Sequence, residues 1–141
     1  MAENTETKEV DVLLDSALDS ADDAERLVLN VAQEAGFQED DLHKIGMAVR
    51  ESIVNAVVHG NRYNRRKKVH LSVLHGKDRL TIVIGDEGEG FDIGRLPDPL
   101  AEHNLLQQSG RGIFLIRAFM DEFEVRSLSP SGTEVKLVKY V

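Results

Sequence analysis

Three short stretches of the sequence hold side chains whose types and spacing could do chemistry. In ESIVNAVVHGN, residues 51–61, Glu51, Asn55 and His59 stand four apart among Ile53, Val54, Ala56, Val57 and Val58. A helix turns about 100° per residue, so the three drift only about 40° per step and form one polar strip on an otherwise apolar helix. A carboxylate on that strip could take a proton from a hydroxyl or a water, as a general base must. The Asn55 carbonyl oxygen is a hard ligand of the kind Mg²⁺ takes while phosphate and water fill the rest of its shell. The strip could also be a helix edge that meets solvent.

The second stretch is GDEGEGFD, residues 85–92. Strand parity puts Asp86 on the same side as Leu80, Ile82 and Ile84, the expected core face. A carboxylate there is costly unless hydrogen-bonded or paired. Gly88 and Gly90 remove side chains just beyond it, so a ligand or backbone can approach closely. Asp86 could then accept from a ligand amine, or simply end a strand. The third stretch is SGRGIFLI, residues 109–116. Gly110 and Gly112 open an apolar helix, whose first N–H groups can bind an anion, and Arg111 could add a positive contact. The same glycines could serve packing alone.

These residues need elements to position them. VDVLLDS (10–16) reads as a strand. SADDAERLVLNVAQEAG (20–36) reads as a helix, with Ser20 or Asp22 to cap it and Gly36 to end it. Residues 38–61 read as a longer helix, started by Asp40 or Asp41 and stopped by Gly60. KVHLSVLHG (68–76) and the start of RLTIVIGDEGEG (79–90) alternate as strands joined by a turn at Gly76, Lys77 and Asp78. Residues 91–109, with Pro97 and Pro99, form a long irregular loop of the kind that is usually functional or disordered. A helix over 110–123 and strands over 123–128 and 133–141 close the chain, with a turn from Pro130 to Gly132. The fold class is α+β: a two-layer α/β sandwich, its sheet mixed but mostly antiparallel, with helices on one face. Residues 1–9 read as a flexible acidic N-terminus and 10–141 as one domain.

Composition narrows the classes. Apolar residues make up 41% and charged residues 30%, a globular balance. There are no cysteines, which excludes disulfides, thiolate zinc sites and cysteine nucleophiles. No apolar run reaches membrane-spanning length and no secretory signal is visible, so a cytoplasmic protein without a membrane partner is expected. Residues 1–25 hold nine acids and one base, which accounts for the net charge of −8 and leaves 16 acids against 16 bases in the body. Despite the basic stretch RYNRRKK (62–68), that balance does not favour nucleic acid; a solvated loop or a protein-docking patch is expected there.

Taken together, E-x-x-x-N on a helix, D-x-G-x-G after a strand, a proline-bearing loop, G-x-G opening a helix and G-T before the last strand resemble the ATP-binding Bergerat fold of the GHKL superfamily. Within it, PDPLAEHNLLQQSGRGIFLIRAFMDEF (97–123) is most similar to the small bacterial anti-sigma factors that are serine-protein kinases. The resemblance spans roughly residues 10–141. It implies a general base or nucleophile-positioning role for Glu51, Mg²⁺ on Asn55, and adenine reading by Asp86. It implies room for the nucleotide at Gly88 and Gly90, an ATP lid over 93–109, phosphate donors near Gly110 and Gly112, and support of the adenine end by Thr133. Gln107 and Gln108 stand where some relatives use an arginine at the γ-phosphate; Arg111 or Arg95 could take its place. The implied cofactors are ATP and Mg²⁺. The implied partners are an anti-anti-sigma (STAS-type) protein as substrate, a sigma factor or other regulator, and a second copy in a homodimer. Two alternatives remain open at this point: a non-catalytic, ATP-dependent partner-binding regulator, and the catalytic domain of a histidine kinase.

Overall fold

The rows of apolar side chains that cross the sheet explain why it forms. In the computed structural model, which describes residues 8–88, 112–128 and 131–141, five strands pair in the order β1-β2-β3-β5-β4. They are β1 (Lys8–Asp15), β2 (Lys68–His75), β3 (Arg79–Gly85), β4 (Glu122–Ser127) and β5 (Thr133–Tyr140). The register aligns Val12, Leu71, Ile84, Val135 and Val125 across all five strands, and Val10, Val73, Ile82, Leu137 and Phe123 in a second row. A one-residue slip would turn both rows away from the core, so the alternation fixes the pairing. All four pairings are antiparallel, the antiparallel limit of the mixed sheet expected. The opposite face carries exposed Asp11, Leu13, His70 and Lys136.

Helices cover the apolar face. They are α1 (Ser20–Glu34), α2 (Glu39–Asn55) and α3 (Gly112–Phe119). α1 buries Ala24, Val28, Val31 and Ala32, and α2 buries Ile45, Ala48, Val49 and Ile53, all in one core with the strand residues. α3 packs on α2 and inserts Ile116, which is fully buried. Arg50 of α2 reaches Glu25 at 2.9 Å and also pairs with Asp22, tying α2 to α1 one residue before Glu51. Gly46 permits that closeness, since a Cβ there would lie 2.9 Å from Glu25 Oε2.

Several boundaries differ from expectation. The helix starts are not capped as predicted: Asp19 and Gln38 take the cap positions without side-chain hydrogen bonds, and Ser20 Oγ instead donates to the Asp15 carbonyl at 2.7 Å. The acids in each first turn still favour the positive helix end, by about 0.3–1 kcal/mol each. Gly36, at φ +96°, ends α1 as expected. The predicted helix over 38–61 is α-helical only to Asn55 and widens into a π-helical turn over Ala56–Gly60, closed by Asn61 N–H donating to Ala56 O at 2.8 Å. α3 stops at Phe119, short of the predicted 123, because Asp121 N–H donates to Val138 O and starts the turn into β4. The expected flexible N-terminus lies outside the described residues up to residue 7, and β1 already begins at Lys8.

Candidate nucleotide site

Asp86 leaves the end of β3 on the core side, as parity predicts, and is only 7% exposed. Its Oδ1 accepts from Gly88 N–H at 2.9 Å and from Thr133 N–H at 3.2 Å. Its own N–H donates to Thr133 O at 2.9 Å, carrying the β3–β5 pairing one step further. Burial pushes the carboxyl above the usual carboxylate range, against the pull of the two backbone donors. A buried acid whose proton affinity is raised by burial is a candidate functional group. Thr133 serves it through the backbone.

Two glycines crowd this carboxylate and a third its backbone carbonyl. A methyl on Gly60 would lie 2.9 Å from Asp86 Cβ and closer still to its Cγ and Oδ2. One on Gly88 would collide with the Gly60 carbonyl and sit 3.2 Å from Asp86 Oδ1. One on Gly132, at φ +109°, would collide with Asp86 O. The π-helical turn brings Gly60 to this spot: an extra residue in the turn shifts everything after Asn55 relative to an α-helix, and such turns recur at functional sites.

Glu51 and Asn55 occupy the last turn of α2 and are half-buried. The Asn55 side-chain nitrogen is buried with no hydrogen-bond partner among the described residues. Such orphaned groups are rare and costly unless a ligand or water completes them. His59, by contrast, is exposed. The α-helical part of the predicted strip Glu51–Asn55–His59 ends at Asn55, and His59 falls within the π turn.

Of the other predicted positions, Gly112 opens α3. Gly90, Gly110, Arg111, Arg95, Gln107, Gln108 and the lid over 93–109 lie outside the described residues. The basic stretch is an exposed loop over residues 62–66, in which Arg62 and Tyr63 take left-handed conformations, at φ 53° and 61°, and it runs into β2 at Lys68.

Sequence reasoning missed the supports of the site. Asn61 is 2% exposed. Its Oδ1 accepts from Glu87 N–H at 2.8 Å and its Nδ2 donates to Lys68 O at 3.0 Å. Glu87 Oε1 accepts from Lys68 N–H at 3.1 Å, and Oε2 lies 2.7 Å from His70 Nε2. The hydrogen bond to His70 holds the Glu87 carboxyl below the usual range. An amide directly after a helix-ending glycine was the available signal, but it reads as ordinary loop polarity.

The family of histidine kinase-like ATPase domains matches residues 14–139. The chain belongs to that family. Among its relatives, the serine-protein kinase RsbW of Bacillus velezensis is 34% identical over 125 residues, covering 82% of this chain and 76% of the relative. RsbW of Staphylococcus epidermidis is 35% identical over 124 residues, covering 82% and 77%. The anti-sigma F factor of Bacillus thuringiensis is 35% identical over 104 residues, covering 72% and 71%. Within the histidine kinase-like ATPases, the chain thus groups with the RsbW-type serine-protein kinases and anti-sigma factors. In fold it is similar to the crystal structure of the RsbU and RsbW domains of Rv1364c from Mycobacterium tuberculosis, with a TM-score of 0.65 at 17% identity. That match covers 94% of this chain and 31% of the longer mycobacterial one.

Proposed function

We propose that this protein is a cytoplasmic anti-sigma factor that binds MgATP and phosphorylates a serine on an anti-anti-sigma partner, so that the sigma factor is held or released by partner switching. Asp86 carries the reading: a buried carboxylate held by two backbone donors inside a glycine cradle suits a flat base with an exocyclic amine. Adenine presents that donor and guanine presents a carbonyl oxygen at the corresponding position, so an acceptor favours adenine.

Asn55 would hold the metal through its amide oxygen, the hard donor Mg²⁺ takes, while its buried nitrogen, a donor with no partner among the described residues, would be free for a phosphate oxygen or a water. The ion would neutralise phosphate charge when bound. Gly110 and Gly112 would present N–H donors to the phosphates, with Arg111 beside them. Gly88 and Gly90 would leave room for the nucleotide, and Thr133 would hold Asp86 through its backbone. Glu51, one turn before Asn55, would take the proton from the serine hydroxyl as its oxygen bonds to the γ-phosphorus and the bond to ADP breaks. A second copy would pair through the edge strand β1, where Leu13 is 64% exposed.

The test is phosphate transfer from labelled ATP into a lysate of the source organism, with wild type and Glu51→Gln in parallel. The expected result is one small protein carrying phosphoserine, labelled by wild type alone. No labelled protein, with ATP binding shown separately, refutes the kinase assignment and leaves a nucleotide-gated binding module.

A further inference from the structure

Asn61 ends the stretch 51–61 but has no role in the chemistry read there, yet three of its polar groups each tie down a different part of the site. Its backbone N–H closes the π turn on Ala56 O at 2.8 Å. Its Nδ2 donates to Lys68 O, at the start of β2, and its Oδ1 accepts from Glu87 N–H, between Asp86 and Gly88. The two side-chain bonds use the amide's donor and acceptor ends in opposite senses, which fixes its orientation. A carboxylate, a hydroxyl or an alkyl group could not make both bonds at this length.

We propose that Asn61 is a positioning residue for base selection: it joins the end of α2, which carries Asn55, to the Asp86–Gly88 turn, and so sets where the base-reading carboxylate stands. The inference rests on the nucleotide reading above and deepens it. The geometry gives the mechanism. Gly60 presses on Asp86 and its carbonyl on Gly88, so the π turn forms one wall of the carboxylate's cradle. Ala56 and Val57 bury the start of that turn in the core, but at Gly60, where it meets Asp86, it has no side chain to anchor it. Asn61, next in sequence, supplies the tie. It also holds the Glu87 amide, which fixes the peptide that follows Asp86. Without it the Glu87 N–H and the Lys68 carbonyl are left to find new partners, and a turn that ends in Gly88 can rearrange to do so. Asp86 would remain buried but lose its fixed direction. The cost should fall on discrimination between bases more than on the phosphate end, which other elements hold.

The experiment measures dissociation constants for MgATP and MgGTP by calorimetry in wild type, Asn61→Ala, Asn61→Ser, Asn61→Asp and Asp86→Asn, with amide exchange at Glu87 in the same proteins. A ratio of two affinities is not moved by a smaller folded fraction, so it separates positioning from simple destabilisation. Asn61→Ala should weaken ATP binding about tenfold, the scale of one lost net hydrogen bond, narrow the GTP-to-ATP ratio by a similar factor and speed exchange at Glu87. Asn61→Asp keeps the acceptor for Glu87 N–H and loses the donor to Lys68. It should retain slow Glu87 exchange and most of the ratio; Asn61→Ser, too short to make either bond, should behave like Asn61→Ala and serves as the test if Asn61→Ala fails to fold. An unchanged ratio in Asn61→Ala, or in Asn61→Ser where that is the variant that folds, overturns the inference. If Asp86→Asn loses discrimination while the Asn61 variants keep it, the inference alone fails. If wild type binds neither nucleotide, the nucleotide reading fails with it.

Discussion

Replacing Gly60 by Ala adds one methyl group at a place where the structure has no room. The new carbon would lie 2.9 Å from Asp86 Cβ and nearer to the carboxylate itself, whereas ordinary contacts begin near 3.4 Å. The obstacle is a short side chain pinned by Gly88 N–H and Thr133 N–H, so it cannot swing aside without breaking those bonds. Overpacking of this kind costs about 1–3 kcal/mol of stability. Displacing Asp86 would also remove the hydrogen bond proposed between it and the nucleotide, worth about 1.5–3 kcal/mol for a charged acceptor. At about 1.4 kcal/mol per factor of ten, ATP affinity should fall by about 10- to 150-fold. Gly76→Ala is the control. Its methyl would make an ordinary 3.7 Å contact with Arg79 O, so it should bind ATP like wild type. The assay is titration of a fluorescent ATP analogue at a temperature where circular dichroism shows each variant fully folded. Wild-type ATP affinity in folded Gly60→Ala would refute the close approach of the π turn to Asp86 and the cradle built on it.

Other outcomes follow from the same structure. Asp86→Asn keeps an acceptor for the two backbone donors and removes the buried charge. Because burial raises the folded-state pKa of Asp86, its ionisation opposes folding, and that loss appears as pH rises from the unfolded through the folded pKa; denaturant titrations should show the variant losing less stability than wild type across that rise, while binding ATP more weakly. Glu87 has the opposite sign. Its lowered pKa contributes stability that is present above the unfolded value and lost as pH falls through the folded one, so Glu87→Gln should reduce that acid-side loss in the same titration. Ile53→Ala, at a fully buried site of α2, should cost about 2–5 kcal/mol and lower Tm by roughly 10 °C in a calorimetric scan. Arg50→Ala breaks part-exposed pairs to Glu25 and Asp22, and should cost only about 1 kcal/mol or less, with a smaller loss in high salt.

The sequence by itself determined the sheet, the helices that cover it and which side chains make up the candidate site. Period-two runs such as Val69, Leu71 and Val73 admit one register once they must share a buried face with Leu80, Ile82 and Ile84. The same parity put Asp86 on the core side, because alternation is a local rule of the extended chain. Glu51 and Asn55 were legible for a similar reason: spacing of four on a helix is a local rule, and it held as far as the α-helix did. Tertiary structure decided what local rules cannot reach. Past Asn55 the chain widens into a π turn that carries His59 and is closed by Asn61, a geometry fitted to what lies beside it. Gly60 and Gly132 read as a helix stop and a turn, yet each is also the only residue type that fits against Asp86, on a strand distant in sequence. Asn61 became a clamp because residues 68 and 87 arrive on either side of it. A polar group's partners across the fold depend on how strands and helices come together, and no periodicity in one segment encodes that.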